Sequence, residues 1–274
     1  MLNFDSQVDS VALFERNLVV GLSNLEGNIW DGSIKVIDAE MGTEKCSANV
    51  SSGITCVRFL GKDGRSIIAA KDDGCISIFM LDVLREVSAY LCHDDIISTV
   101  AADTNNESHF YSAGWDGNIC YCSASSSGSP ISIIRSAHAG HINDIANVDT
   151  LVVSVGDDGY VRTWDLRQST KKFAMQISSG QTLSCVSWYQ SNGLCVGTDT
   201  GNILAFDIRS SRPVNSINSQ DASAQHCQRV RRITSHSSFP SLLLSASDDA
   251  TVCIKHVELD SSSDLPIGLT NVAR

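Results

Sequence analysis

Three Asp-Asp pairs stand out in the sequence: Asp72-Asp73, Asp157-Asp158 and Asp248-Asp249. Paired carboxylates can carry general acid–base chemistry or hold divalent cations. These pairs, however, recur at the same point of a repeated pattern, and a catalytic pair needs only one copy. We therefore interpret them as turn residues, because short acidic side chains accept hydrogen bonds from the backbone of a turn.

Histidine and cysteine offer no better metal site. His93-Asp94-Asp95 has suitable ligand types, but His93 lies where a repeated structural histidine is expected. The ten cysteines include no Cys-x-x-Cys pair, and Cys120 and Cys122 lie two residues apart in a predicted strand. We interpret the cysteines as reduced, core-forming thiols. With no phosphate-binding glycine loop and no Gly-x-Ser-x-Gly elbow in the sequence, we predict neither metal, cofactor nor enzymatic activity.

Composition narrows the class of partner. The chain has 274 residues, 42% of them hydrophobic, with a formal net charge of −11. That charge argues against direct binding to a nucleic-acid backbone and favours basic protein partners. No apolar run is long enough to cross a bilayer, and residues 1–10 lack the pattern of a secretory signal. We therefore expect no membrane association and a location in both cytoplasm and nucleus.

A repeat sets the architecture. A turn followed by an alternating strand recurs six times, and five of the copies carry glycine, at positions 32, 74, 117, 159 and 201, that is, at intervals of 42, 43, 42 and 42 residues. Ala250 takes the glycine's place in the sixth copy. Short strands joined by Asp-Gly turns at this period are typical of the four-stranded blades of an all-β propeller. The predicted single domain spans 1–274, with blades at roughly 8–50, 51–91, 92–136, 137–178, 179–219 and 226–274.

The fourth repeat resembles a WD repeat. Ala139-Gly140-His141, Ser154, Asp158 and Trp164-Asp165 match that family's pattern. The resemblance implies a WD-repeat β-propeller in which His141, Ser154, Asp158 and Trp164 form a buried hydrogen-bonded network. Six blades are recognisable. Either six complete the fold, or a seventh blade is absent or degenerate.

Three stretches resemble the family of WD-repeat methylosome subunits. They are Leu18 to Ser33, Cys92 to Val100, and Trp164 to Arg167 followed by Gln176-Ile177. The resemblance implies a non-catalytic scaffold that binds a type II protein arginine methyltransferase in a hetero-oligomer. It also implies presentation of basic, Arg/Gly-rich substrates, such as histone or Sm tails, for symmetric arginine dimethylation.

The first blade carries the expected methyltransferase contact. The resemblance implies that a lengthened loop presents Trp30 to the enzyme, and a large amphipathic ring is a typical hot-spot side chain. The alternative is that Trp30 folds back over the core of the first blade. The predicted interface residues are Asn24, Leu25, Glu26, Asn28, Ile29 and Trp30.

Two rival functions remain from the sequence. Trp164-Asp165-Leu166-Arg167 also resembles the motif with which substrate receptors of cullin ubiquitin ligases contact their adaptor, and Arg167 would make that contact. Arg167 has the structural alternative of capping its strand end. A hydrolase or lyase using the propeller's central channel would need converging polar groups, and the sequence indicates no such set.

Overall fold

The computed structural model describes residues 4–26, 29–125, 128–165, 173–189, 193–208, 213–216, 226–236, 239–260 and 265–273. The chain divides into two compact units, Met1–Ala137 and His138–Arg274. In the described ranges all regular structure is β-strand, and no helix there could span a membrane.

The first unit contains three four-stranded antiparallel sheets in the order of the chain. The strands are β1 (Gln7–Phe14), β2 (Asn17–Glu26), β3 (Ile29–Asp38) and β4 (Glu44–Val50); β5 (Ile54–Leu60), β6 (Ser66–Lys71), β7 (Cys75–Met80) and β8 (Arg85–Leu91); and β9 (Ile97–Ala102), β10 (His109–Gly114), β11 (Ile119–Ser123) and β12 (Ser132–Ile134).

The second unit contains three more sheets of the same kind. The strands are β13 (Ile142–Val148), β14 (Leu151–Gly156), β15 (Tyr160–Asp165) and β16 (Phe173–Ser178); β17 (Leu183–Tyr189), β18 (Gly193–Thr198), β19 (Ile203–Asp207) and β20 (Pro213–Ser216); and β21 (Val230–His236), β22 (Phe239–Ser247), β23 (Val252–Asp260) and β24 (Leu265–Ala273). Six four-stranded blades are therefore confirmed.

Apolar layers between neighbouring sheets hold each unit together. In the first unit, one cluster joins the first and second sheets through Ile34, Ile54 and Ile67, and another joins the second and third through Ile76 and Phe110. In the second unit, similar clusters lie between the fourth and fifth sheets and between the fifth and sixth. A single sheet has two faces to bury, so each blade depends on its neighbours for stability.

The repeated turns follow the predicted chemistry in all blades except the first. Gly159 follows Asp157-Asp158 with a φ of +74°, a left-handed conformation that costs glycine little. The residues at the same point of the second, third, fifth and sixth blades also have positive φ, including Ala250 at +62°. Gly32 does not belong to this group, and the reason lies in the geometry of the first hairpin.

Candidate functional site

The first blade carries a hairpin that continues past the point where the other blades turn. Leu25 pairs with Trp30 and Glu26 with Ile29, so only residues 27 and 28 separate strands β2 and β3. The predicted turn at Asp31-Gly32 is wrong, because Gly32 lies within the ladder opposite Ser23. A Cβ on Gly32 would lie 2.6 Å from the Ser52 carbonyl oxygen, so glycine serves close backbone approach here.

The predicted loop over Asn24–Ile29 is therefore corrected to strand. Asn24, Leu25 and Glu26 belong to β2, and Ile29 and Trp30 belong to β3. Asn28 lies outside the described residues. The physical reason is that the ladder of β2 and β3 continues through ten cross-strand pairs, with leucine, isoleucine and tryptophan near its end.

Leu25 and Trp30 form the exposed apolar pair of this hairpin. Directly opposed residues of an antiparallel ladder point to the same face, so the two side chains lie side by side. Leu25 is 61% exposed and Trp30 is 47% exposed. An exposed aromatic ring beside an aliphatic side chain on a rigid hairpin is suited to docking in an apolar pocket of a partner.

Trp30 does not cover the core of its own blade. Its indole nitrogen and the Oδ2 atom of Asp72, in the turn of the second blade, both lie against Gly53, and hydrogen bonding from the indole is one of the influences on the pKa of Asp72. Burial raises the pKa of Asp72, and this bond together with the Gly53 N–H opposes the increase. The structure thus places Trp30 between blades one and two with half of its surface in water.

The fourth blade contains a buried polar network that differs from the predicted one by a single histidine. His138 Nδ1 lies 2.8 Å from Asp158 Oδ1, and His138 Nε2 lies 2.7 Å from Ser154 Oγ. The indole N–H of Trp164 donates to Ser154 Oγ at 2.9 Å. His138 and Trp164 are each only 4% exposed.

His141 is not a member of this network, which corrects the sequence-based assignment. Its side chain is 44% exposed and reaches Asp157 Oδ2 at 3.1 Å. The backbone explains the difference: the Asp157 N–H donates to the His141 carbonyl at the start of β13, which leaves the imidazole on the outer side. His138, three residues earlier, lies in the bend that reaches beneath the turn.

Hydrogen-bond chemistry fixes the protonation of the network. A carboxylate only accepts, so a neutral His138 that bonds Asp158 donates from Nδ1, and its Nε2 then accepts from the Ser154 hydroxyl. Burial lowers the pKa of His138, in agreement with a neutral ring. Burial raises the pKa of Asp158, but bonds from Arg162 and His138 outweigh it and bring the pKa to about 2.

Two further blades repeat the histidine, serine and aspartate of this network. In the third blade His93 lies 2.9 Å from Ser112 Oγ and 3.0 Å from Asp116. Hydrogen bonds from His93 and the Asn118 backbone outweigh burial and lower the pKa of Asp116 to about 2. His93 thus lies in the structural position expected from the sequence.

The sixth blade contains the copy that the sequence analysis missed. His226 lies 2.9 Å from Ser245 Oγ and 3.3 Å from Asp249 Oδ2. In all three blades the aspartate follows the serine by four residues, at 112 and 116, 154 and 158, and 245 and 249. In the third and sixth blades the histidine precedes the serine by 19 residues. In the fourth blade this spacing is 16 residues, so the signal for His226 in the sequence is the 19-residue spacing that it shares with His93.

The remaining candidate residues are turn residues or lie outside the described part. Asp73 accepts the Cys75 N–H at 2.9 Å and the Ser52 hydroxyl at 3.0 Å, as expected for a turn residue. Among the described residues no three His, Cys, Asp or Glu side chains are grouped to hold a metal ion. Arg167, the alternative adaptor contact, lies outside the described residues.

Sequence comparisons connect the chain with two groups of proteins. Residues 129–261 match the family model described as Nucleolar protein 10-like, N-terminal domain. Methylosome protein WDR77 of Xenopus laevis is 26% identical over 255 residues, covering 86% of this chain and 72% of that protein. Nucleolar protein 10 of Danio rerio is 33% identical over 85 residues, covering 27% of this chain and 12% of that protein.

A structural comparison supports the fold. A chain in the crystal structure of the mitotic checkpoint complex superposes with a TM-score of 0.77 at 17% identity, covering 92% of this chain and 78% of that one. At this identity the match establishes the fold alone. The six sheets, the repeated polar networks and these likenesses agree: the chain is a WD-repeat β-propeller protein with six recognisable four-stranded blades, and it is similar to methylosome protein WDR77.

Proposed function

We propose that this protein is a non-catalytic methylosome scaffold that binds a type II protein arginine methyltransferase through the hairpin of its first blade. The observation that carries the proposal is the exposed Leu25–Trp30 pair at the end of this hairpin. It occurs in a chain that is similar to methylosome protein WDR77 over 86% of its length.

A hairpin is a better anchor than the loop that the sequence suggested. Ordering a flexible loop on binding costs conformational entropy, whereas paired strands have already lost that freedom on folding. The backbone of β2 and β3 is held by ladder hydrogen bonds up to Glu26 and Ile29. The tryptophan is thus available to a partner without prior ordering of the backbone.

Charge supports the second part of the proposal, which is presentation of basic substrates. The formal net charge of −11 attracts Arg/Gly-rich histone or Sm tails and raises their local concentration near the bound enzyme. The buried histidines and aspartates of the blades are engaged in structural networks, which supports a scaffold rather than a catalyst. In this proposal the protein acts in the cytoplasm and nucleus.

The test is co-expression with the type II arginine methyltransferase of the same organism, followed by size-exclusion chromatography. We expect wild type to co-elute with the enzyme and Trp30→Ala to weaken the complex by roughly 30-fold or more, as for a hot-spot tryptophan. Trp115→Ala is the matched control, because Trp115 is also a half-exposed tryptophan, at 41%, in the third-blade turn.

Each outcome has a defined meaning. If wild type elutes alone, the scaffold proposal is wrong. If Trp30→Ala co-elutes as well as Trp115→Ala, the enzyme binds elsewhere and the hairpin assignment is wrong. Methylation of a histone tail should increase when wild-type protein joins the enzyme, and a decrease would contradict substrate presentation.

A further inference from the structure

The tryptophan of the hairpin is held at one point of the second blade. The indole nitrogen of Trp30, the Asp72 Oδ2 atom and the Ser23 hydroxyl converge above the Cα of Gly53. They lie only 2.5, 2.6 and 2.8 Å from the position that a Cβ on this glycine would occupy. These three polar atoms meet only because residue 53 has no side chain. We name Ser23, Gly53 and Asp72 the indole seat.

Two hydrogen bonds to Gly53 hold Asp72, one at its carboxylate and one at its backbone. The Gly53 N–H donates to Asp72 Oδ2 at 3.1 Å, and the Asp72 N–H donates to the Gly53 carbonyl at 3.1 Å. Ser52 binds the neighbouring Asp73 at 3.0 Å. The acceptor that meets the Trp30 N–H is therefore held by backbone, and a bond to a charged acceptor is stronger than one between neutral groups.

We propose that the indole seat sets the orientation of Trp30 before any partner binds, with Asp72 as the positioning residue. The effect of the seat on partner binding rests on the proposed function, in which Trp30 is the anchor. With the indole nitrogen held at the seat, the exposed part of the ring lies beside Leu25. The partner that fits this pair is a protein surface with an apolar pocket for both side chains. Because an anchored ring loses less rotamer freedom on association, the seat strengthens binding.

Gly53 provides a selective way to disturb the seat. The three atoms that a Cβ would meet all belong to side chains and none to the backbone, so these side chains can rotate away while the backbone stays. Gly53→Ala should therefore displace Trp30 without unfolding the blade. Gly140→Ala is the matched control, because its Cβ would meet its nearest atom at an ordinary 3.5 Å.

The first measurement needs no partner. In protein with ¹⁵N-labelled tryptophan, the indole N–H signal of Trp30 is identified by its loss in Trp30→Phe, and its hydrogen exchange is followed by NMR. We expect exchange to be at least roughly tenfold faster in Asp72→Ala and Gly53→Ala than in wild type, and unchanged in Gly140→Ala. Asp72→Asn keeps an acceptor oxygen and should give an intermediate rate. Equal exchange in wild type and Asp72→Ala would overturn the seat.

The second measurement is binding of the same variants to the methyltransferase. We expect Asp72→Ala and Gly53→Ala to weaken the complex roughly 3- to 10-fold, less than Trp30→Ala does. Faster exchange with unchanged affinity would reject the positioning role. If the enzyme does not bind wild type at all, the proposed function fails, while protected exchange still establishes the seat.

Discussion

The fourth and the first blades use tryptophan in opposite ways. In the fourth blade the indole of Trp164 is buried, its N–H bonded to Ser154, and it is part of a chain that ends on Asp158. In the first blade the strands continue past the turn position, and Trp30 remains 47% exposed with its indole nitrogen beside Gly53 and Asp72 of the neighbouring blade. One tryptophan completes an internal network, and the other is held in place at the surface.

The difference shows how an interaction surface can arise within a repeat. A buried polar network stabilises its blade only when every member has a partner, so its residues have little freedom to serve another function. Lengthening the first hairpin replaces the turn with a ladder, in which Asp31 pairs with Asn24 instead of turning the chain. The side chains at the end of this ladder are then not required to complete a buried polar network.

The largest expected effect concerns the fourth blade and separates its two histidines. His138→Ala removes the bonds of a buried imidazole to Asp158 and Ser154 and leaves a cavity, so it should lower the free energy of unfolding by about 3 kcal/mol. His141→Ala removes only an exposed contact with Asp157 and should lower it by less than about 0.5 kcal/mol. Urea unfolding followed by circular dichroism measures both. Equal effects of the two substitutions would contradict the network as described.

The second-largest effect is expected from acid, which should destabilise the fourth blade. Hydrogen bonds from Arg162 and His138 outweigh burial and lower the pKa of Asp158 from its ordinary 3.8 to about 2. A lowered acid pKa gives stability that is complete above pH 3.8 and is lost as the pH falls through about 2. Burial also lowers the pKa of His138 from 6.5, so its contribution likewise decreases on acidification below that value.

Asp158→Asn tests the assignment of this acid dependence. Protonation of Asp158 between pH 4 and pH 2 should lower the free energy of unfolding of wild type by about 2 kcal/mol. The variant has no carboxylate to protonate, so its urea midpoint should change less than that of wild type across this range. A variant with the same acid dependence as wild type would show that other carboxylates are responsible.

Much of the fold follows from the sequence, because a regular interval of alternating strands and Asp-Gly turns specifies four-stranded blades. The choice between His138 and His141 does not follow from it. Both histidines precede β13, and in the structure the one whose carbonyl accepts the Asp157 N–H, His141, has the exposed imidazole. Asp31-Gly32 was misread for another reason: glycine marks both turns and close backbone approach, and these cannot be told apart in a short stretch.

The candidate surface stays a prediction, and its form differs from the expected loop. Trp30 and Leu25 were identified by type and by resemblance, whereas the ladder that holds them depends on cross-strand pairing beyond the apparent turn. The indole seat had no sequence signal. Ser23, Gly53 and Asp72 are far apart in the chain, and the absent side chain of Gly53 is what allows them to meet.

The smallest effect on stability, and the sharpest contrast with His138, is expected at the end of the hairpin. Leu25 is 61% exposed, and Val83, in the turn after β7, is an apolar control of similar exposure, at 64%. Leu25→Ser and Val83→Ser should each change the free energy of unfolding by less than about 0.5 kcal/mol, because neither removes a buried contact.

If the hairpin docks in an apolar pocket, only Leu25→Ser should weaken methyltransferase binding, by roughly 10-fold. Isothermal titration calorimetry of the two variants makes the comparison. Equal binding by both would restrict the anchor to Trp30, whereas loss of stability in Leu25→Ser would show that the hairpin end belongs to the fold rather than to the interface.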